Sequence, residues 1–476
     1  MLLLTASVLV TSCKKPDEAM PAVVATPTTP APTGTVTDTE VNNWILANMQ
    51  TNYYWTDKIP ASPNLNQTPD KFFDSILYKF DATARPDGDR YSWIQQSADD
   101  LKSSLSGETK TDGATFKPYY RSSGSTDIIG KVLYVQRGSP AEKAGIKRGD
   151  VFSKINGTPL TAANYVELLY GTVDTKTYGL LKIVNNAFVE SSDTKTATAV
   201  VLQADPVYMD SVYTIGVKKI GYLVYNQFVS SPNGSTSGLY DQKLDNIFAK
   251  FKQQGVNELV LDFRYNPGGS LATCVTLSSL IGKNTAGQTF ATLRYNPTVT
   301  DAYTKQYGAN FSTYNFVTKV SNIGASLSRV FVLTTSGTAS ASEMVINGLK
   351  PYMTVTTIGT TTYGKNVGSQ TIADATKRIK WGMQPIMFKI FNSAGQSDYT
   401  AGFVPAVSVP EFTNVEWQPL GTVSEPLLNE ALFQITGSRL ARRAAETDGK
   451  ILQELTSSFE RSIGNGGLVA DPAMKR

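Results

Sequence analysis

Apolar positions recur along this chain with two periods, and the changes of period mark its organisation. From Glu40 the spacing is helical: Val41, Trp44, Ile45 and Met49 fall at i, i+3, i+4 and i+8. Pro69 to Phe80 repeats the pattern with Phe72, Ile76, Leu77 and Phe80. With Asp89-Arg90-Tyr91-Ser92-Trp93-Ile94, these predict a small helical domain over residues 39–104, its aromatics in the core. Residues 105–204 turn to strand texture. Lys131-Val132-Leu133-Tyr134-Val135 predicts a strand, Pro140 to Ala144 a short helix stopped at Gly145, and Val151 to Ile155 another strand closed by an Asn156-Gly157 turn. From about 205 strands and helices alternate. Ile220 to Tyr225 predicts a strand, and residues 240–253 a helix with Leu244, Ile247, Phe248 and Phe251 on one face. Glu258 to Arg264 and Val330 to Thr334 are the near-continuous apolar runs of a sheet covered on both sides. The pattern predicts a multidomain α/β protein. Residues 413–476 hold one more amphipathic stretch and no identifiable chemistry.

The first residues break this pattern. Leu2 to Ser12 form an apolar run of about 11 residues, where a bilayer span needs about 20. The run ends at Leu9-Val10-Thr11-Ser12-Cys13, which resembles a bacterial lipobox, whose cysteine becomes lipidated. The expectation is a lipoprotein signal peptide over 1–13. A Pro/Thr-rich linker over 14–38 then tethers the chain to the membrane through Cys13, in the bacterial cell envelope. Cys274 is then the one thiol left, expected as a packed core side chain.

Composition narrows the chemistry. The chain has 476 residues, of which 41% are hydrophobic and 18% charged, a globular balance. A net charge of +4 with dispersed basic residues points away from nucleic acid. There is no histidine. That removes the usual base of a serine hydrolase and the commonest metal ligand, so no metal or other cofactor is expected. Hydroxyl chemistry here needs a lysine or a carboxylate as base.

One serine and one lysine have suitable surroundings. Ser340 sits where the strand ending near Thr334 turns into a helix marked by Ala341, Met344, Val345, Gly348 and Leu349. A hydroxyl at a helix N-terminus lies beside unpaired amide donors, although serines there are also ordinary caps. Lys365, in Tyr363-Gly364-Lys365, follows the apolar run Val355 to Gly359. A free lysine is neutral only about once in 2,500 at pH 7, a deficit of roughly 4.6 kcal/mol, so the base must be buried. Ser336, Thr338 and Ser342 are expected to be structural, and Glu343 to suit the first helical turn by its charge.

Two resemblances follow from these residues. The run Gly138-Ser139-Pro140-Ala141-Glu142-Lys143-Ala144-Gly145-Ile146-Lys147-Arg148-Gly149-Asp150-Val151-Phe152 resembles the PDZ domains of bacterial proteases. Such domains capture a free peptide carboxylate; the matching loop is Gly113-Ala114-Thr115-Phe116. Asp262-Phe263-Arg264-Tyr265-Asn266-Pro267-Gly268-Gly269, then Gly337-Thr338-Ala339-Ser340-Ala341-Ser342-Glu343, then Tyr363-Gly364-Lys365 resemble the ordered motifs of the carboxyl-terminal processing peptidases, or tail-specific proteases. The resemblance implies a crotonase-like ββα protease core over 205–412 and a PDZ-like domain over 105–204. It casts Ser340 as nucleophile and Lys365 as base, with an oxyanion hole from the Ala341 amide and Gly268 or Gly269. It also implies peptide or protein substrates with free C-termini. Two positions depart from the family. Ser369 stands where many members have a glutamine that orients the lysine, which leaves Gln370 as a candidate assistant, and Lys350-Pro351 replaces an acidic residue. The competing expectation is an inactive PDZ adaptor. A β-lactamase-type reading fails because the chain contains no Lys-Thr-Gly.

Overall fold

The structure, a computed structural model, describes residues 34–411, 416–439 and 453–455. Cys13 and the signal-peptide segment lie outside the described residues.

A six-stranded sheet organises the chain. Its strands are β1 (Val207–Ile215), β2 (Lys218–Tyr225), β3 (Glu258–Asp262), β4 (Arg329–Thr334), β5 (Thr354–Gly359) and β6 (Val407–Ser408), adjacent in that order. β1 runs antiparallel to β2, and the others are parallel, with Val224 opposite Asp262, Asp262 opposite Leu333 and Thr334 opposite Gly359. Parallel neighbours need crossover connections, and those between successive strands carry α1 (Leu239–Gln253), α2 (Leu271–Ile281) and α3 (Ala341–Leu349). All three pack on one face with Leu223, Leu259, Leu261, Val330 and Val332. The other face, through Tyr222, Val224, Val260, Phe331 and Leu333, is covered by α4 (Pro426–Thr436). Burial from both sides explains the unbroken apolar runs of β3 and β4. Because β3 and β4 are parallel neighbours, their C-terminal ends lie side by side. The Asn-Pro-Gly-Gly and Ser-Ala-Ser-Glu segments therefore meet although they are far apart in sequence.

The region expected as a small N-terminal helical domain, residues 39–104, packs onto the sheet and shares its core. The helices Asp38–Asn52 and Pro69–Ser75 bury Val41, Ile45, Met49, Phe72 and Ile76 in the same core as the helical face of the sheet. The strand Trp93–Gln95 pairs with Gly382–Gln384. Phe80 was expected on a helix face. It instead lies five residues past the helix end, because Asp89 N–H donates to Tyr78 O and Phe80 N–H to Asp89 O, drawing the chain into a bridge. Its ring carries the Arg90 guanidinium at 4.6 Å.

The 105–204 region has its own core of Phe116, Ile128, Val132, Phe152, Leu169 and Tyr178. Five antiparallel strands lie in the order Ala114–Tyr120, Ile128–Val135, Val151–Ile155, Thr175–Val184 and Ala187–Thr198, with the helix Tyr165–Tyr170 beside them. Ala114–Tyr120 is thus an edge strand.

Candidate active site

The loop after β4 is built from its hydroxyls. Thr338 Oγ1 donates to Phe263 O at 2.8 Å, Ser342 Oγ donates to Asn266 O at 3.0 Å, and Ser336 Oγ accepts from Lys117 Nζ at 3.3 Å. These three are structural, as expected. Ser340 differs. It occupies the N-cap position of α3 and faces Glu343 in a capping-box arrangement, but its Oγ makes no hydrogen bond of full geometry to any described residue. Its backbone sits at φ +58° and ψ −113°, a conformation that L-residues avoid at a cost on the order of 1–3 kcal/mol. A serine that only capped a helix would be extended and bonded. This one is held under strain with its hydroxyl unused.

Glu343 supplies the restraint. One oxygen of its buried carboxylate accepts the Ser340 N–H at 2.9 Å and the Lys365 N–H at 2.8 Å. The other accepts Gly364 N–H at 2.7 Å and the Thr362 hydroxyl at 2.6 Å. The Ser340 turn and the Lys365 loop therefore converge on one side chain. Burial raises the Glu343 carboxyl above the usual range, and the four donors oppose that rise by favouring the anion. Its charge-based assignment to the first helical turn understated this role. The readable signal was its place three residues beyond the N-cap.

Lys365 is 1% exposed and makes no ion pair or hydrogen bond through Nζ among the described residues. Burial lowers its pKa to about 8, against the pull of Asp89 and Glu343, which favour the ammonium. The Tyr91 ring centroid lies 5.0 Å from Nζ, and the Tyr91 hydroxyl donates to Gly364 O at 3.0 Å. Asp89, itself buried, accepts the Tyr53 hydroxyl at 2.8 Å. Nothing in the sequence pattern had linked Asp89 or Tyr91 to the lysine. No hydrogen bond joins Ser340 Oγ to Lys365 Nζ. Gln370 makes no hydrogen bond to the lysine among the described residues: its side-chain oxygen accepts from Tyr303 at 3.4 Å, and its amide nitrogen has no partner among them.

The Pro-Gly-Gly turn lies directly against Ser340. A Cβ on Gly268 would stand 2.7 Å from Ser340 Cβ and 2.9 Å from Ala341 N. Asn266 shapes this turn, donating from Nδ2 to Tyr225 O at 2.8 Å and accepting Gly268 N–H on Oδ1 at 2.9 Å. Gly268 thus already uses its N–H, while no bond engages the Gly269 N–H among the described residues. The Ala341 amide, first in α3, is the other donor beside Ser340. Cys274 is a core thiol as expected, its Sγ 3.4 Å from Ala341 O and its pKa raised by burial.

A cleft of 1140 Å³ runs between the edge of the five-stranded unit (Ala114, Thr115, Arg137) and the sheet's loops, reaching Pro267, Gly268, Gly269 and Ser270. Ser340 and Lys365 do not line it; both are covered. A second cleft of 410 Å³ lies between Ala114, Phe116 and the helix residues Leu169 and Tyr170. In the expected carboxylate loop, Gly113 N–H and Ala114 N–H donate to Thr111 Oγ1 and Asp112 Oδ1, both at 3.0 Å.

Comparison with known proteins agrees with this arrangement. The profile of peptidase family S41 matches residues 219–409, that of the peptidase S41 N-terminal domain 40–93, and that of the PDZ domain 131–180. A Staphylococcus aureus protein named "Probable CtpA-like serine protease" is 27% identical over 231 residues, 48% of this chain and 40% of that protein. A Staphylococcus epidermidis protein of the same name is 27% identical over 234 residues, with the same coverage. The match thus spans less than half the length of these curated relatives. A solved S41 structure from Bacteroides fragilis is 30% identical with a TM-score of 0.66, covering 83% of this chain and 97% of that one. On that identity over nearly the whole of a solved member, the chain belongs to peptidase family S41.

Proposed function

We propose that this S41 member is a serine endopeptidase that cleaves protein substrates near their C-termini through Ser340 and Lys365. The observation that carries the reading is the unbonded, strained Ser340 hydroxyl, tied through Glu343 to a lysine whose pKa is brought to about 8. At pH 7 about one such lysine in ten is neutral, against about one in 2,500 for a free one. Ser340 Oγ attacks the scissile carbonyl while Lys365 Nζ takes its proton and passes it to the leaving amine. Water then hydrolyses the acyl-enzyme, with Lys365 again as base. The Ala341 and Gly269 amides are the donors for the oxyanion. Both dyad side chains are covered, so substrate reaches them only when the walls of the cleft part. The PDZ domain, with the groove beside Phe116 and Leu169, supports capture of a free C-terminus. An inactive adaptor is the weaker reading, since it gives no reason to hold Ser340 under strain.

In peptide-turnover assays, Ser340→Ala and Lys365→Ala should each lose at least about 1,000-fold in kcat/KM, as in other serine hydrolases. Substantial turnover by either variant refutes the dyad. The lipobox-like sequence before Cys13 and the Pro/Thr tract after it support a lipid-anchored chain in the cell envelope. Cys13→Ala should move the chain from the membrane fraction to the soluble fraction. A wild-type chain that takes up no labelled fatty acid refutes the anchor.

A further inference from the structure

The edge strand Ala114–Tyr120 is already partly paired, and its partner comes from the far end of the chain. Tyr120 N–H donates to Gln453 O at 3.0 Å, Leu455 N–H donates to Pro118 O at 3.1 Å, and Tyr119 stands opposite Glu454 in an antiparallel bridge. Side chains reinforce the pairing. The buried Lys117 ammonium forms an ion pair with the Glu454 carboxylate, and Leu455 packs against the core of the PDZ domain. Lys117 also reaches Ser336, four residues before the nucleophile.

The polarity of this pairing is informative. From Gln453 to Leu455 the strand passes Tyr120 and then Pro118, so it runs toward Phe116 and Gly113. A C-terminal peptide captured on the same edge, with its carboxylate at the Gly113-Ala114-Thr115-Phe116 loop, runs in the same direction. The two occupants share an edge and a direction, and cannot both pair with Pro118–Tyr120. With that stretch taken, only strand residues 114–117 remain for an incoming peptide, room for about four residues at one per strand position.

We infer that Gln453-Glu454-Leu455 is an intramolecular occupant of the PDZ edge, which a substrate C-terminus longer than about four residues must displace. The inference rests on the proposed capture function, and its test separates the two. The ligand is a fluorescent ten-residue peptide with a free carboxylate and an apolar last residue, chosen to suit the Phe116, Leu169 and Tyr170 groove. Its binding is measured by polarisation on three proteins: the full Ser340→Ala chain, the same chain ending at Leu452, and a full-length Glu454→Lys/Leu455→Asp variant of it. The third keeps the test valid if truncation impairs folding.

The expected result is at least tenfold tighter binding to both altered chains, with loss of that gain when the peptide is amidated. A four-residue peptide should bind all three alike. Hydrogen exchange at the Tyr120 amide should accelerate in both altered chains, a readout that needs no substrate. Equal affinity of the ten-residue peptide for all three overturns the inference and leaves capture standing. A peptide that binds none refutes capture; occupancy is then decided by exchange alone, and unchanged protection at Tyr120 overturns it.

Discussion

Tyr91 and Lys365 show how one aromatic ring bears on the charge of a buried lysine. The ring acts on Nζ in two opposed ways: its face attracts the ammonium, and its bulk keeps water out. The cation–π attraction is worth about 0.5–2 kcal/mol, about one pKa unit, whereas desolvation of a buried lysine reaches several units. Exclusion of water wins, consistent with the pKa of about 8. The charged groups acting on the lysine are Asp89 and Glu343, which favour its charge. As the proposed base, Lys365 must be neutral, so kcat/KM should fall tenfold per pH unit below about 8 and level off above it. In Tyr91→Ala water enters, the lysine pKa climbs toward its ordinary value, and the acid limb should move up by about one to two pH units. Tyr91→Phe keeps the ring and loses only the bond to Gly364 O, so its limb should stay in place. A limb unmoved in Tyr91→Ala rules out this positioning role. The proposed dyad could be named from sequence because Ser340 and Lys365 lie in neighbouring motifs with recognisable residues. Tyr91 could not, since its contact to Gly364 spans 273 positions and aromatics at helical spacing resemble core. The same pattern misplaced Phe80, whose helix ends early because Asp89 captures the chain.

The element that brings the proposed oxyanion donors to Ser340 is the paired turn at the ends of β3 and β4. Thr335 and Thr338 bond back to the carbonyls of Arg264 and Phe263, and Ala339 N–H donates to Asn266 O at 3.1 Å, so each turn templates the other. Gly268 sits at φ +104° where this pair is tightest. Its replacement by alanine adds a backbone cost of about 1–2 kcal/mol and a clash with Ser340. Gly268→Ala should cost about 100-fold in kcat or more, the scale of losing one oxyanion donor, while the chain stays folded. Gly287→Ala is the control: it has a similar backbone, φ +78°, and open space around the added methyl. Equal activity in the two variants sinks the contact argument. The strands and helices of this layer were readable from their apolar runs, because burial on two faces leaves a strong signal. The turn-to-turn bonds were not, because serines and threonines in a loop look alike whichever carbonyl they meet.

At the scale of the whole molecule, the PDZ domain is fastened to the peptidase sheet by a buried cluster of charges. Arg148, in the turn before Val151, donates to Glu411 Oε1 at 2.7 Å, and its guanidinium stacks 4.5 Å from the Trp417 ring. Arg264, at the end of β3, bonds to Asp262, Glu411 and Glu425 and is fully buried. Burial alone would raise the Glu411 carboxyl, but Arg148 and Arg264 outweigh it and hold the pKa at about 2. A carboxyl depressed in the folded state stabilises above its unfolded pKa, near 4.3. That contribution, up to about 3 kcal/mol, is lost as pH falls from there through about 2. Arg148→Met keeps the bulk and removes the charge, leaving three carboxylates to one arginine. Breaking a buried pair from one side costs about 3–5 kcal/mol, so the melting temperature at pH 7 should fall by several degrees. Because Arg148 also reaches Leu133 O, Gln418 O and the Tyr265 hydroxyl, Arg148→Lys should not restore the loss: an ammonium cannot serve that fork of acceptors. The acid side of the stability profile discriminates further. Without Arg148 the Glu411 pKa rises, so the variant should lose stability at a higher pH than the wild type. A variant that melts with the wild type at pH 7 and unfolds at the same acid midpoint shows that the cluster does not fasten the domains.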